Sequence, residues 1–259
     1  MDYAYMQKYF SLDGRKAVIT GSSQGIGQAA AESLARFGAE VAILGRNQVY
    51  IDQTVESITL NGGTAKGYNV DVSKKNEIDD FFDNYLIENG KLDIFVNNAA
   101  YTIKKTIQDS TPEEIEGLYK TNFFSAFFCI QRAGKIMMEQ KGGSIIIVSS
   151  VNAVRGLPSQ GIYSTTKAAL ESLMHCTAAD LVKHGVRVNS IIPGWIQTGM
   201  NGPVDTPEKQ ERLMKMVSSG RVGMPKEIGD VIACMCTDAF SYMIGSSIVV
   251  DGGLLLRVD

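Results

Sequence analysis

The chain has 259 residues, 44% of them hydrophobic and 20% charged, with a formal net charge of -3. Such a chain suits one soluble domain, here taken as 1–259, with one large core; its small negative charge offers no basic field to attract nucleic acid or an anionic membrane. No stretch reaches membrane-spanning length, and the opening MDYAYMQKYF lacks the basic n-region and apolar run of a secretory signal, so a cytoplasmic location is expected.

In chain order, apolar runs of strand length occur at 17–19, 41–44, 94–96, 145–148, 186–192 and 248–250, each bounded by Gly, Asn, Asp or Ser. Between them lie segments of helical period at about 24–37, 47–60, 74–89, 111–139, 161–184 and 225–237. Pro112 after Thr111 marks a helix start, and Gly38 fits a helix stop. This alternation predicts an α/β fold: a doubly wound, Rossmann-type parallel sheet with helices on both faces.

The rhythm breaks at about 196–224, where Gly199, Gly202, Pro203, Pro207, Gly220 and Gly223 frame a helical patch at 207–217. Because it follows a strand end, where ligands collect in such sheets, it is expected to be a lid over a substrate; a solvated excursion is the alternative. Cys129, Cys176, Cys234 and Cys236 read as buried free thiols. His175 and His184 are nine residues apart, off the i, i+4 spacing of a paired ligand, so no metal site is expected.

Gly21, Ser23, Gln24, Gly25, Ile26 and Gly27 lie between the first strand and the first long helix. Glycines there let the backbone approach a ligand, and the helix start offers unpaired N–H groups to a phosphate; a mere tight turn is the other reading. At the end of the second strand, where a carboxylate would accept the ribose hydroxyls of NAD, the chain has Gly45 and Arg46. A guanidinium pairs instead with a 2'-phosphate, which favours NADP and leaves NAD open.

Tyr163 and Lys167 are four residues apart, on one face of a predicted helix. A phenol that exchanges a proton with a carbonyl oxygen near neutral pH needs its pKa lowered, and an adjacent ammonium is expected to supply that. Ser150 ends the strand at 145–148 and is placed to polarise the same oxygen; a turn-capping hydroxyl is its other reading. Asn152, Arg155, Gln160 and Trp195 are candidate substrate residues, with Arg155 suited to a substrate carboxylate.

Together these residues resemble the short-chain dehydrogenase/reductase family. The likeness spans nearly the whole chain: Thr20-Gly21 through Gly27, Asp71-Val72, Asn97-Asn98-Ala99, Ser150, Tyr163 with Lys167, Pro193-Gly194 and Val250-Asp251-Gly252-Gly253. It implies about seven strands, a catalytic set of Asn122, Ser150, Tyr163 and Lys167, and a helix distortion at Asn122 that holds a relay water. It also implies cofactor contacts from Asp71, Val72, Asn98, Tyr163, Lys167, Pro193, Gly194, Ile196 and Thr198, and a homotetramer with 111–139 and 161–184 in one interface and Leu254-Leu255-Leu256 near another. Ala100 departs from the family's glycine and, if that position needs positive φ, would strain the turn.

The function expected is hydride transfer between NADP(H) and a secondary alcohol or ketone. A sugar, polyol or sugar acid is favoured as substrate, and the segment Phe10 to Arg15 resembles gluconate-dehydrogenase-like members. A 3-oxoacyl thioester or hydroxysteroid is the alternative, for which Met200, Met214 and Met216 would suit an apolar pocket. A nucleotide-binding regulatory protein without catalysis is the reading from another class.

Overall fold

The structure is a computed structural model that describes residues 2–201 and 206–256. Seven parallel strands form one sheet in the order β3-β2-β1-β4-β5-β6-β7: β1 Lys16–Thr20, β2 Glu40–Gly45, β3 Thr64–Asn69, β4 Ile94–Asn97, β5 Gly143–Val148, β6 Val186–Pro193 and β7 Ser247–Val250. The order reverses between β1 and β4. There the chain leaves toward β2 on one side and continues to β5 on the other, opening a crevice beyond the strand ends.

Alternation along the central strands divides the core. Ile145 and Ile147 of β5 pack on one face with Phe82, Ile130, Met137, Leu170 and Met174, from helices α4 Lys75–Asn89, α6 Ser125–Gln140 and α7 Gly161–Leu181. Ile146 and Val148 pack on the other with Leu34, Ile51 and Ile232, from α2 Gly25–Arg36, α3 Gln48–Leu60 and α9 Pro225–Cys236. A strand buried on both faces needs apolar residues at every position, which is why these runs are unbroken.

The strand β3, Thr-Ala-Lys-Gly-Tyr-Asn, lacks such a run. It lies at the sheet edge with its residues exposed or half-buried, and it pairs with β2 from Glu40↔Thr64 to Gly45↔Asn69. At the N-terminus α1, Tyr3–Phe10, buries none of its residues; the Asp2 side chain caps it by accepting from the Tyr5 N–H. Hydrophobic periodicity does not mark either element.

The long helical segment predicted at 111–139 is three pieces. Its first, α5 Pro112–Tyr119, starts in a capping box between Thr111 and Glu114. Lys120–Phe124 is then a π-helical turn in which the Ser125 N–H donates to the Lys120 carbonyl, and α6 follows. Asn122 lies inside that turn.

The excursion after β6 is clasped at its base. The Gln197 N–H donates to the Gly223 carbonyl and the Gly223 N–H to the Trp195 carbonyl, both at 2.9 Å, forming a parallel bridge Ile196↔Gly223. Inside it are a short turn at Gly199–Asn201 and α8, Pro207–Met216, the helix expected at 207–217; Gly202 and Pro203 lie outside the described residues. Leu213 and Val217 are buried.

Three expectations are corrected. Cys129 and Cys236 are buried, but Cys176 is exposed and Cys234 half-buried, because the helix faces that carry them turn toward solvent. Leu254 is 3% exposed and packs with Val151, Ile192 and Val217, so not all three leucines are exposed: Leu255 is half-buried and Leu256 is 78% exposed. Ala100 carries no positive φ, which among the described non-glycine residues occurs at Lys141 and Ser159. The turn after Asn98 therefore takes alanine without that strain.

Candidate active site

A cleft of about 500 Å³ opens over the ends of β1, β4, β5 and β6. Its first wall is the turn from Gly21 to Ile26. Gly21 has φ +62° and Gly25 φ +60°, a region costly for residues with a Cβ. A Cβ on Gly27 would lie 2.4 Å from the Gly21 carbonyl and 2.5 Å from Asn98 Nδ2, so the helix can start this close to β1 only with glycine there.

Asn98 bolts the turn in place, its Nδ2 donating to the Thr20 and Gly21 carbonyls at 3.0 and 2.9 Å. Thr20 Oγ1 reciprocates by accepting from the Asn98 and Ala99 N–H groups. Ser22, which sequence reasoning passed over, is buried and ties β1 to β2: its hydroxyl donates to the Ile19 carbonyl at 2.7 Å and accepts from the Leu44 N–H at 3.0 Å.

No side chain caps the start of α2 at Gln24. Its first N–H groups and positive dipole end are thus left for an anion. Arg46 is exposed on the same cleft wall, with Asp71 and Val72 across from it. Burial works to raise the Asp71 carboxyl, but hydrogen bonds from Ser73 and the Arg46 and Lys74 charges hold it below the usual range. A glycine cradle, an uncapped helix start and a cation at the far end fit a dinucleotide with its pyrophosphate on α2.

The opposite end holds the expected chemistry. Ser150, Tyr163 and Lys167 line the cleft together. Ser150 is also the capping hydroxyl foreseen as its other reading: Oγ accepts from the Asn152 N–H at 3.2 Å at the head of a short 3-10 turn. Accepting there leaves its own proton to point elsewhere, and the Tyr163 phenol is the neighbour it hydrogen-bonds.

The expected lowering of Tyr163 is not present. Burial pushes the phenol up to about 12, opposed by the Ser150 hydrogen bond. Lys167 Nζ sits 5.7 Å from the centre of the Tyr163 ring and donates to the Val148 carbonyl at 2.8 Å. The ammonium thus lies over the ring, with its hydrogen bond at the strand end. Lys167 is itself 2% exposed, and burial draws it down to about 8 against the pull of Glu171.

Asn122 is fully buried, and its amide is spent on structure. Oδ1 accepts from the Tyr101 N–H at 3.0 Å, while Nδ2 donates to the Tyr101 carbonyl at 2.9 Å and to Thr166 Oγ1 at 3.3 Å. This clamp holds the loop after β4 against α7. Tyr101 and Thr102 thereby join the cleft lining, a consequence that no motif in 99–110 signals.

Of the candidate substrate residues, Asn152, Gln160 and Trp195 line the cleft and Arg155 does not. The Arg155 guanidinium donates to the Leu254 carbonyl at 3.2 Å, which directs it to the C-terminal segment. Asn152 Nδ2 donates to Gln160 Oε1 at 2.6 Å. Pro193, Gly194, Ile196 and Thr198 also line the cleft, as do the apolar Leu157, Met200 and Leu254.

A single parallel sheet with its crevice at the switch point, a phosphate cradle and a Ser-Tyr-Lys cluster define a nicotinamide-dependent oxidoreductase. The sequence profile of a family described as enoyl-(acyl carrier protein) reductase matches residues 21–255. The chain is 35% identical to an L-rhamnose 1-dehydrogenase (NAD(P)(+)) of Sphingomonas over 96% of its length and 99% of that protein's. It is 33% identical to a chloroplastic tropinone reductase homologue of Arabidopsis thaliana, over 96% of its length and 78% of that protein's. The crystal structure of a gluconate 5-dehydrogenase from Burkholderia cenocepacia, in complex with NADP and tartrate, superposes with a TM-score of 0.92 at 29% identity, covering 97% of this chain and 99% of that one. The chain belongs to the short-chain dehydrogenase/reductase family. It is an oxidoreductase that acts on CH–OH groups with NAD(P). Among the described residues, no helix is long and apolar enough to cross a membrane.

Proposed function

We propose that the protein interconverts a sugar acid, sugar or polyol and the corresponding ketone, with NADP(H) preferred over NAD(H). The observation that carries the reading is the convergence of Ser150, Tyr163 and Lys167 in one cleft with the glycine turn and Arg46. The nicotinamide, when bound, supplies or accepts the hydride.

The protein moves the proton and holds the oxygen. Tyr163 exchanges the proton with the substrate oxygen, and Ser150, its acceptor side occupied by the Asn152 N–H, donates to that oxygen. Lys167 provides the buried positive charge that favours the phenolate as the proton leaves. Asn122 is assigned to act through the π turn that contains it, the place where a relay water would be held. The remaining cofactor contacts are assigned to Gly21, Ser23, Gln24, Gly25, Ile26, Gly27, Asp71, Val72, Asn98, Pro193, Gly194, Ile196 and Thr198, and 196–224 to the lid.

A polar substrate is supported by the Asn152–Gln160 pair. Because Asn152 Nδ2 donates to Gln160 Oε1, the remaining amide atoms offer the cleft an acceptor from Asn152 and a donor from Gln160, complementary to a hydroxyl-rich chain. The relatives named as rhamnose and gluconate dehydrogenases agree with this. A second reading, an apolar cyclic ketone or acyl thioester, is favoured by Val151, Leu157, Met200 and Leu254 in the same lining and by the tropinone reductase homologue. NADPH oxidation against keto sugar acids, ketoses, acyl thioesters and cyclic ketones separates them. Keto sugar acids or ketoses are expected to turn over fastest; silence across the panel with NADPH still bound would favour the nucleotide-binding regulatory reading.

The assembly proposed is a cytoplasmic homotetramer. Phe124 and Phe127, at the junction of the π turn and α6, are 49% and 41% exposed, and β7 leaves a sheet edge open. Each is a surface that a second copy would cover. Light scattering is expected to give four times the 28.1 kDa chain mass; a monomer mass would reject the assembly.

A further inference from the structure

Glu171 lies four residues beyond Lys167 on α7, one helical turn away on the same face. Its Oε2 accepts from Ser247 Oγ at 2.7 Å and from Ser190 Oγ at 3.0 Å. These serines are register partners on β6 and β7. Two strands therefore hold one carboxylate at a fixed place. Its other oxygen, Oε1, is buried without a hydrogen-bond partner.

A carboxylate oxygen left unsatisfied in a buried position is costly unless a nearby positive charge offsets it. Lys167 has the complementary deficit, with its Nζ making one protein hydrogen bond, to Val148. Among the described residues Lys167 makes no ion pair, and Glu171, one turn along the same helix face, is the carboxylate that acts on it at longer range. Tyr163 and Glu171 are the titratable groups that bear on Lys167. The hydrogen-bond partner of its Nζ, the Val148 carbonyl, is neutral, and the Ser149 hydroxyl donates to its main-chain carbonyl.

We propose that Glu171 is a positioning residue: pinned by Ser190 and Ser247, it is the half-buried counter-charge that keeps Lys167 cationic while the phenol gives up its proton. Burial alone drives the ammonium toward its neutral form, and Glu171 is the charge that opposes this. Without it, Lys167 loses its proton at lower pH. The rate of carbonyl reduction then fails on the alkaline side earlier, because the lysine no longer supports the phenolate.

The proposal rests on the roles given above to Tyr163 and Lys167, and its test is separable from theirs. The first measurement uses the cofactor-free protein with ¹³Cε-labelled lysine, the Lys167 signal being identified by its loss in Lys167→Arg. In Glu171→Gln, which keeps the shape and removes the charge, the Lys167 midpoint is expected to fall by about one pH unit. The second is the pH profile of kcat/KM for reduction, whose alkaline limb should move down by the same amount while Glu171→Asp leaves it near the wild-type position.

An unmoved midpoint in Glu171→Gln overturns the proposal, as does a uniform loss of rate with no shift of the limb. A midpoint that moves while Lys167→Met keeps full turnover supports the charge pairing and sinks the catalytic role of Lys167 instead. If Glu171→Gln does not fold, Ser190→Ala with Ser247→Ala releases the carboxylate toward water and should shift the midpoint in the same direction by a smaller amount. No shift there also overturns the proposal.

Discussion

Replacing Tyr163 with Phe is expected to lower the rate of carbonyl reduction by about a thousandfold, while NADPH should still quench the protein's fluorescence on binding. The substitution removes one oxygen and keeps the ring, so packing in the cleft is retained. Ser150 loses its phenol partner but still accepts from the Asn152 N–H. What disappears is the group proposed to hand a proton to the substrate oxygen as hydride arrives. Burial holds that phenol near 12 in the free protein, so it is fully protonated at neutral pH and ready to act as the acid in reduction. Oxidation requires the reverse and rests more heavily on the Lys167 charge. Turnover above a few per cent of wild type in the Phe variant would move the proton donor elsewhere.

Arg46→Asp is expected to shift the ratio of catalytic efficiencies with NADPH and NADH by about a hundredfold toward NADH. Two effects act together. The guanidinium no longer offers charge-assisted hydrogen bonds to a 2'-phosphate, a loss of roughly 1.5–3 kcal/mol. The new carboxylate repels the phosphate and can accept from ribose hydroxyls instead. Arg46 is exposed, so screening trims the electrostatic part and the shift should shrink as salt rises. Steady-state kinetics with both cofactors decide it, and an unchanged ratio would remove Arg46 from the specificity role.

Much of this architecture is legible in the chain because buried parallel strands need unbroken apolar runs. Ile145 to Val148 announces β5 on hydrophobicity alone, and Gly21, Gly25 and Gly27 mark the only residues that fit the phosphate turn. Edge elements are harder to read. The strand β3 has Lys66 and Gly67 at its centre, because one side of it faces water and pairing with β2 does the work that burial does elsewhere. The helix α1 rests on its Asp2 cap with no buried face to set a period.

Within the site, side-chain spacing predicted proximity better than direction. Tyr163 and Lys167 do lie on one face of α7, but the lysine reaches over the ring to the Val148 carbonyl. The phenol is accordingly raised by burial rather than lowered by charge. Arg155 shows the same limit: its chemistry suits a substrate carboxylate, yet a backbone carbonyl at Leu254 captures it. The role of Tyr101 depends on the Asn122 clamp, a long-range pairing with no local signal.

The clasp between Ile196 and Gly223 makes everything between them a cassette. Since departure and return share one point on the scaffold, the entropy of joining the ends depends only weakly on what is inserted, roughly 0.6 kcal/mol for each doubling of length. Strand registers and the proton-handling cluster lie outside this stretch. A family built on such a frame can exchange this stretch, which here lends Thr198, Gly199 and Met200 to the cleft lining, without redesigning the sheet beneath.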